Sequence, residues 1–461
     1  MSKKYIFTLS LWISMVISPI VAQKRMGCLL DSTAYERIFL ANNPNRGDIY
    51  QNLPKSHSLK NYCPIPKNQG EYGTCVAWTS AYYARSIMLA QKYHWKKEEI
   101  NQKAGSPFFV YENIKAYNDR DCQDGAGLII ALESLKQQGT VPFHTFYKPC
   151  GDFIDESLRK QSDSYKIGEY RRLFVSNAKD KISPLKKSIA EGKPVVIGLQ
   201  CFFDSFIQAK DSIWQPAQNE LDKLNADDGG HALTVLGYND EMQAFEVVNS
   251  WGDAWANKGF IWIPYEYFSQ ICFEAYQMYE PEEPATQIAG SIHLSLSAGM
   301  EVPLRLKKGF YESTKNYQSG TLLQLKLTNQ EPAYIYAFSA NLEKEFRVIF
   351  PLENKEGLLY KAEALTLPNE HSYISLYSEK NTEYFCILYS REKLHLPSLF
   401  NQLQYLEGDF VGNIYKVLGS KAIPTSSILF NSIESVKFSG HTNYGNIIPI
   451  VIAIKKKEKQ H

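Results

Sequence analysis

The order of apolar and polar positions along the chain predicts a helical segment, a strand pair and a separate β-rich region. Residues 76–90 are mostly apolar or aromatic and contain no Gly or Pro, which predicts a largely buried helix. Residues 231–238 and 244–251 are β-prone and flank a polar turn at 239–241, which predicts an antiparallel pair of strands. Beyond residue 288 the pattern becomes a series of short runs in which apolar and polar residues alternate.

The alternating runs predict a second domain. They lie at residues 292–296, 323–327, 334–338, 346–350 and 384–389. Short alternating strands with turns between them are typical of a β-sandwich. A Pro-rich acidic stretch precedes them and has no apolar periodicity. We therefore expect a linker at 281–288, a β-sandwich-like domain at 289–455 and a charged tail at 456–461.

The N-terminus has the pattern of a secretory signal peptide. Lys3 and Lys4 precede an apolar stretch at 6–21, which Pro19 interrupts and the small residue Ala22 follows. We expect a signal peptide at 1–22, an N-terminal extension at 23–49, and export to the periplasm, the cell surface or the medium. No later apolar run is long enough to span a bilayer. The stretch before the first candidate site residue is short, so we do not expect a long inhibitory pro-segment.

The composition limits the number of domains and the kinds of partner, but it does not indicate a function. The chain has 461 residues, enough for about two domains whose cores do not depend on disulfides. Its 50 Lys and Arg residues nearly balance its 49 Asp and Glu residues, so nothing favours nucleic acid or an acidic membrane surface as a partner.

Four residues could together attack an amide carbonyl. Cys75 stands at the start of the predicted helix, where the helix N-terminus and a protonated imidazole would both favour its thiolate. His231 can supply that imidazole, and the side-chain oxygen of Asn249 can hold the ring in one orientation. The amide of Gln69 and the backbone N–H of Cys75 can donate to the oxyanion that forms.

These residues stand in motifs that resemble those of the papain-like (C1) cysteine peptidases. The segment from Gln69 through Gly70 and Gly73 to Cys75 resembles the family's Gln-Gly-x-x-Gly-x-Cys pattern, and 249–252 resembles its Asn-Ser-Trp-Gly segment. The resemblance covers roughly residues 50–280 and implies an α+β fold, a papain-like two-lobed catalytic domain with a helical lobe and an antiparallel β lobe.

The resemblance also implies a role for each residue. Cys75 would be the nucleophile, His231 the general base and acid, Asn249 the orienting residue and Gln69 the oxyanion donor. The Trp251 ring would shield the bond between Asn249 and His231. Among the substrate-binding residues we place Gly125, Gly127, Gly230 and Trp251. The substrate would be a protein or peptide, and the reaction requires no metal or organic cofactor.

The chain also departs from the family pattern. Val76 follows the nucleophile where papain and the cathepsins have an aromatic residue, and Tyr72 replaces a cysteine, so one family disulfide is absent. Of the eight cysteines, the resemblance implies a bridge between Cys122 and Cys150. Residues 202–226 have the character of an insertion at the rim of the cleft.

Two other functions fit the same residues. An acyltransferase could use the same triad to pass the acyl group to an amine, and a decayed peptidase cleft could bind peptide or glycan without catalysis. The C-terminal half resembles accessory β-domains of unknown function in exported bacterial peptidases. We expect it to bind a glycan, a protein or an envelope component, or simply to support the enzyme.

Overall fold

The structure is a computed structural model, and it describes residues 26–41, 53–151, 153–200, 204–222, 230–281, 286–352, 357–360, 364–369, 372–377, 382–431 and 436–456. The predicted signal peptide and the first residues of the predicted N-terminal extension lie outside these ranges. Within them, no helix combines the length and the apolar character needed to cross a membrane.

The first half of the chain contains the helices that pack against its sheet. They are Ser32–Arg37, a continuous run made of Cys75–Ala77, Trp78–Arg85 and Ser86–Lys92, then Lys97–Lys103, Pro107–Ile114, Leu128–Gln137, Glu156–Ser162, Ile182–Ala190, Asp204–Ile207, Gln218–Leu221 and Tyr265–Ile271, with short 3₁₀ turns at Lys60–Tyr62 and Asp163–Tyr165.

The central helix, residues 75–92, is the predicted buried helix. Every residue from Cys75 to Ala90 is buried, and its middle section Trp78–Arg85 is wound as a π-helix. Polar positions on this helix are paired inside the protein rather than exposed. Thr79 Oγ1 lies 2.6 Å from Thr234 Oγ1, which ties the helix to the β lobe, and Arg85 Nε donates to the carbonyl of Tyr165.

The β lobe is one antiparallel sheet. Its strands are β1 (Ser56–Ser58), β2 (Glu169–Arg172), β3 (Val195–Leu199), β4 (His231–Asn239), β5 (Ala244–Val248), β6 (Phe260–Pro264) and β7 (Cys272–Tyr279). They are ordered β2-β7-β3-β4-β5-β6, and β1 pairs with β4. The predicted strand pair is β4 and β5, which confirms that prediction. Because β4 begins at His231 and β5 ends at Val248, one end of this pair carries both His231 and Asn249.

The second half contains two sheets. The strands are β8 (Gln287–Leu296), β9 (Leu304–Lys307), β10 (Phe310–Ser313), β11 (Leu322–Asn329), β12 (Ala333–Asn341), β13 (Phe346–Phe350), β14 (Leu358–Leu359), β15 (Ala364–Leu367), β16 (Ile374–Ser375), β17 (Thr382–Ser390), β18 (Ile428–Asn431), β19 (Val436–His441) and β20 (Ile447–Lys455). One sheet runs β13-β12-β17-β20-β10-β9 with β14 on β12, and the other runs β15-β11-β8-β19-β18 with β16 on β11. A shared apolar core fills the space between them. The α+β class and the sandwich-like second half are thus confirmed.

Two helices, Leu396–Gln404 and Phe410–Leu418, add a layer that we did not expect. They pack on the outer face of β12, β17 and β20 through a second apolar cluster that includes Phe338, Leu388, Val451 and Ile414. These strands are therefore buried on both faces, which explains their nearly continuous apolar runs. Short 3₁₀ turns at Gly419–Lys421, Thr425–Ser427 and Thr442–Tyr444 complete this half.

Two domain boundaries differ from those we expected. Strand β8 begins at Gln287, inside the stretch that we assigned to the linker. Lys456, which we assigned to a charged tail, is buried and lies 3.2 Å from the carboxylate of Glu383. This ion pair and a bridge to Tyr317 extend the pairing of the last strand by one residue. The remainder of the predicted tail lies outside the described residues.

Candidate active site

Cys75 lies at the first turn of the central helix, with Thr74 at the N-cap position. Its side chain is fully buried. The backbone N–H groups of Ala232 and Gly27 interact with the thiol and favour its ionised form. Because Ala232 follows His231 directly, the thiol lies beside the start of β4.

His231 and Asn249 form the hydrogen bond that the sequence predicts. His231 Nε2 lies 2.7 Å from Asn249 Oδ1, and both side chains are fully buried. Asn249 Oδ1 also accepts from the backbone N–H of Ser250 at 2.7 Å, which fixes the amide oxygen towards the ring. His231 Nδ1 is buried and has no hydrogen-bond partner among the described residues. The imidazole is thus held by one nitrogen, and the other is available for proton transfer.

Aromatic residues hold this pair in place. The Trp251 ring stacks on His231 with 4.7 Å between centroids and 23° between planes. The predicted insertion supplies Phe206, whose ring packs against Trp251 at 6.0 Å and against Trp255. From the other side, Tyr83 of the central helix donates a 2.9 Å hydrogen bond to the carbonyl of Asn249.

Gln69 is buried beside the same loop. Its amide nitrogen donates to the carbonyl of Tyr72 at 2.8 Å, and its amide oxygen accepts from Ser250 Oγ at 2.5 Å. Its backbone N–H donates to the carbonyl of Ser250. These bonds hold Gln69 between the loop before Cys75 and the loop after Asn249.

The candidate cleft is occupied by the chain's own N-terminal segment, residues 26–29. Cys28 exchanges two backbone hydrogen bonds with Gly230 at 3.0 and 2.9 Å. On the other side, the Leu29 N–H donates to the carbonyl of Ala126, whose own N–H donates to the carbonyl of Gly27. A peptide thus lies between both walls and beside the Cys75 thiol, which explains why that thiol is buried.

The glycines that we assigned to substrate binding all lie against this segment. A Cβ on Gly125 would lie 2.6 Å from the carbonyl oxygen of Gly27, and one on Gly127 would lie 3.4 Å from that of Leu29. Gly125 also has a φ of 79°, in the left-handed region. Gly230 forms backbone hydrogen bonds with Cys28. The structure therefore brings Gly125, Gly127 and Gly230 to one groove.

A comparison with protein families matches the part of the chain that contains Cys75, His231 and Asn249. Residues 55–280 match the family model described as papain family cysteine protease. This part of the chain belongs to the papain family.

Three similar proteins each align with about half of this chain. An uncharacterized peptidase C1-like protein of Acanthamoeba polyphaga mimivirus is 27% identical over 208 residues, which are 43% of this chain and 64% of that protein. Cathepsin K of Mus musculus is 27% identical over 203 residues, 44% of this chain and 56% of that protein. The chain therefore spans less than two thirds of either relative. Xylellain, a cysteine protease from Xylella fastidiosa, aligns with a TM-score of 0.46 at 24% identity, over 56% of this chain and 97% of its own.

Burial determines the charges in the papain-family site. It raises the pKa of the Cys75 thiol to about 11, against the opposing effect of the nearby backbone N–H groups. It also lowers the pKa of His231 to about 4, although the bond to Asn249 opposes this. With residues 26–29 in the cleft, burial therefore favours the neutral form of both the thiol and the imidazole.

Two residues of the cleft were not predicted, Cys28 and Glu274. Cys28 Sγ lies 3.6 Å from Glu274 Oε1 across 246 positions of sequence. The sequence assigned Cys28 no role, and we overlooked Glu274 although it is an acidic residue in an otherwise mostly apolar strand. That interruption was the signal in the sequence that could have identified it.

The disulfide that the resemblance implied is present. Cys122 and Cys150 are bonded, and they are 28 positions apart in the helical lobe. Among the described residues, Cys63, Cys75, Cys272 and Cys386 are buried free thiols.

Proposed function

We propose that the protein is an exported cysteine peptidase that hydrolyses peptide bonds through Cys75, His231 and Asn249. The observation that supports this most directly is the 2.7 Å bond between His231 Nε2 and Asn249 Oδ1, under the Trp251 ring and beside the Cys75 thiol. An amide that accepts from one imidazole nitrogen leaves the other nitrogen to exchange a proton with the thiol and the leaving group.

The reaction proceeds in two stages. His231 takes the thiol proton, and the Cys75 sulfur attacks the peptide carbonyl, which becomes an oxyanion held by the Gln69 amide and the Cys75 N–H. The intermediate collapses as the C–N bond breaks and His231 protonates the departing amine, which leaves a thioacyl-enzyme. His231 then deprotonates a water molecule, whose attack releases the acid and restores the thiol.

Export and the role of the C-terminal half belong to the proposal as well. The charged and apolar pattern of residues 1–22 supports export, and a disulfide in the helical lobe suits an oxidising compartment. Binding of a glycan, a protein or an envelope component by the C-terminal half stays a prediction.

The test is selective labelling of Cys75 in the secreted protein, residues 23–461. The protein is treated briefly with a substoichiometric epoxysuccinyl thiol reagent, and its intact mass is measured beside that of Cys75→Ala. We expect one adduct that maps to Cys75 and is absent from the variant, together with peptide hydrolysis that the variant lacks. Hydrolysis retained in Cys75→Ala would refute the assignment, and so would unselective labelling with no hydrolysis.

A further inference from the structure

The C-terminal sandwich has an open polar pocket at one end of the sheet that contains β12, β13 and β17. Its volume is about 400 Å³, which is within the range of small-ligand sites. Side chains with a polar group make up most of its lining: Ser339, Asn341, Glu345, Arg347, Tyr377 and Glu383. None of these residues belongs to the papain-family domain, so the pocket is separate from the candidate active site.

The pocket begins where the inner face of this sheet changes from apolar to polar. On β12, Ala337 is in the sandwich core, whereas Ser339 and Asn341, which follow at two-residue intervals on the same face, line the pocket. On β17, Phe385 is in the core, whereas Glu383, the cross-strand partner of Asn341, lines the pocket. The pocket therefore continues the interior of the sandwich with polar side chains in place of apolar ones.

Two polar groups at the base of the pocket are buried and fixed. Glu383 is 4% exposed, forms an ion pair with Lys456 and accepts a 2.9 Å hydrogen bond from the backbone N–H of Tyr377. Asn341 is 7% exposed, and its Nδ2 donates a 2.7 Å hydrogen bond to Glu345 Oε2. These bonds hold the base of the pocket in one arrangement, as a binding site requires.

The hydroxyl of Ser339 is available to a ligand. Ser339 is 4% exposed, and its hydroxyl forms no hydrogen bond within the part of the chain that the structure describes. A buried hydroxyl without a partner costs free energy, and most buried polar groups in proteins have a partner. Because Ser339 lines the pocket, a ligand there can supply the missing hydrogen bond.

The wall of the pocket offers two flat groups and no net charge. The Arg347 guanidinium lies over the Tyr377 ring, 4.6 Å from its centroid, and that tyrosine is 66% exposed. The positive charges of Arg347 and Lys456 balance the two carboxylates, Glu345 and Glu383. The pocket therefore selects a ligand by hydrogen bonds and by contact with flat surfaces rather than by charge.

We propose that this pocket binds a neutral saccharide. Sugar rings present C–H groups that pack on flat side chains, and hydroxyl groups that both donate and accept hydrogen bonds. Tyr377 and Arg347 supply the flat groups. The Glu345 carboxylate accepts hydrogen bonds, and the Ser339 hydroxyl donates and accepts them.

The topology favours a glycan over a protein segment. Peptides that bind to sheets commonly add a strand at a free edge, but β12 and β17 are paired on both sides. Saccharide binding makes specific the ligand that we predict for the C-terminal half, and it does not depend on the reaction at Cys75.

The test measures binding without peptide hydrolysis. The native secreted chain, residues 23–461, is applied to an array of neutral glycans, acidic glycans and peptides, and the neutral disaccharide that corresponds to the retained glycan is titrated by calorimetry. We expect retention of a neutral glycan and a Kd on the order of 1 mM or tighter. Retention of no neutral glycan, or a preference for acidic glycans or peptides, would overturn the proposal. Cys75→Ala should bind the disaccharide as the native chain does, so a failure of the peptidase function would leave this binding intact.

Two variants locate the site. Tyr377→Ala and Arg347→Ala each remove an exposed flat group, so both should fold. We expect each to weaken binding roughly tenfold or more, the effect of losing an aromatic or Arg anchor. Tyr444→Ala is the matched control, because that ring is 57% exposed and lies before the start of β20, at the end of the strand opposite Lys456. Unchanged binding in both pocket variants, or an equal loss in the control, would overturn the proposal.

Discussion

The orientation of His231 depends on one amide oxygen. Asn249 Oδ1 accepts from both His231 Nε2 and the Ser250 N–H, and it is buried under Trp251. We expect Asn249→Ala to lower kcat by roughly 10- to 100-fold without abolishing it, because orientation is lost while nucleophile and base remain. Steady-state kinetics beside Cys75→Ala will check this. A rate equal to that of the native protein would contradict the orienting role.

The ionisation of the Cys75 thiol can be followed by the rate of its reaction with iodoacetamide. Burial raises its pKa to about 11, so in the closed site the thiolate fraction increases continuously with pH below that value. We therefore expect the alkylation rate of Cys75 to increase about tenfold per unit between about pH 7 and pH 9, because the thiolate is the reactive form. A rate that is constant over this range would show that the thiolate is already formed at neutral pH.

At the residue scale, the sequence identified those site residues that stand in short local motifs. Gln69 and Cys75 are six positions apart, and Asn249 and Trp251 are two apart, so their spacing alone carries information. Glu274 and Cys28 could not be paired in this way. Their contact spans 246 positions and depends on a shifted register in β7 and on the path of the N-terminal segment, neither of which is encoded as a pattern.

The N-terminal segment is the element that closes the cleft. Its helix Ser32–Arg37 anchors it, since Tyr35 is fully buried and donates to the carbonyl of Phe174, and Glu36 pairs with Arg172. We did not expect a long inhibitory pro-segment. The structure shows that a few residues are enough to cover the thiol when they pair with both walls.

Displacing this segment should expose Cys75. In Gly27→Val the new side chain would begin 2.2 Å from the Gly73 oxygen, a distance that backbone atoms cannot accommodate without moving the segment. We expect Cys75 to be labelled at least roughly tenfold faster at neutral pH than in the native protein, because water returns to the thiol and its pKa falls. Intact-mass kinetics will measure this. Leu29→Val is the control, because Leu29 is half exposed and contributes backbone bonds that the change preserves. Equal rates in all three proteins would mean that the segment does not protect the thiol.

At the element scale, prediction worked where periodicity was simple. The central helix and the β4–β5 pair follow from apolar runs, but the helices 396–404 and 410–418 were overlooked within a region of alternating strands. Their apolar residues recur at three- and four-residue intervals, as at Leu396, Leu399 and Leu403. The same helices bury the outer face of the sheet, so strands such as β12 lose the alternation expected of a two-layer sandwich.

The two halves of the molecule meet at an aromatic cluster. Tyr279 at the end of β7 stacks on Tyr360 with 4.0 Å between ring centroids, and the Arg171 guanidinium lies over both rings. Arg171 Nη2 also donates a 2.6 Å hydrogen bond to the carbonyl of Leu358. Because Arg171 is on β2 of the papain-family domain, these contacts join that domain's sheet to the C-terminal sandwich.

Removing one aromatic ring of this cluster should allow the two halves to unfold independently. Each half has its own apolar core, so each can hold its fold when the contact is weakened. We expect Tyr360→Ala to cost about 3 kcal/mol, the order seen when a buried aromatic side chain is truncated, and to split thermal unfolding into two calorimetric transitions. Tyr405→Ala provides the matched control, since that ring is 85% exposed and its loss should change little. A single transition at the native temperature in Tyr360→Ala would show that the cluster does not couple the two halves. With two transitions, labelling of Cys75 during heating assigns the papain-family half, because its thiol becomes reactive when that half unfolds.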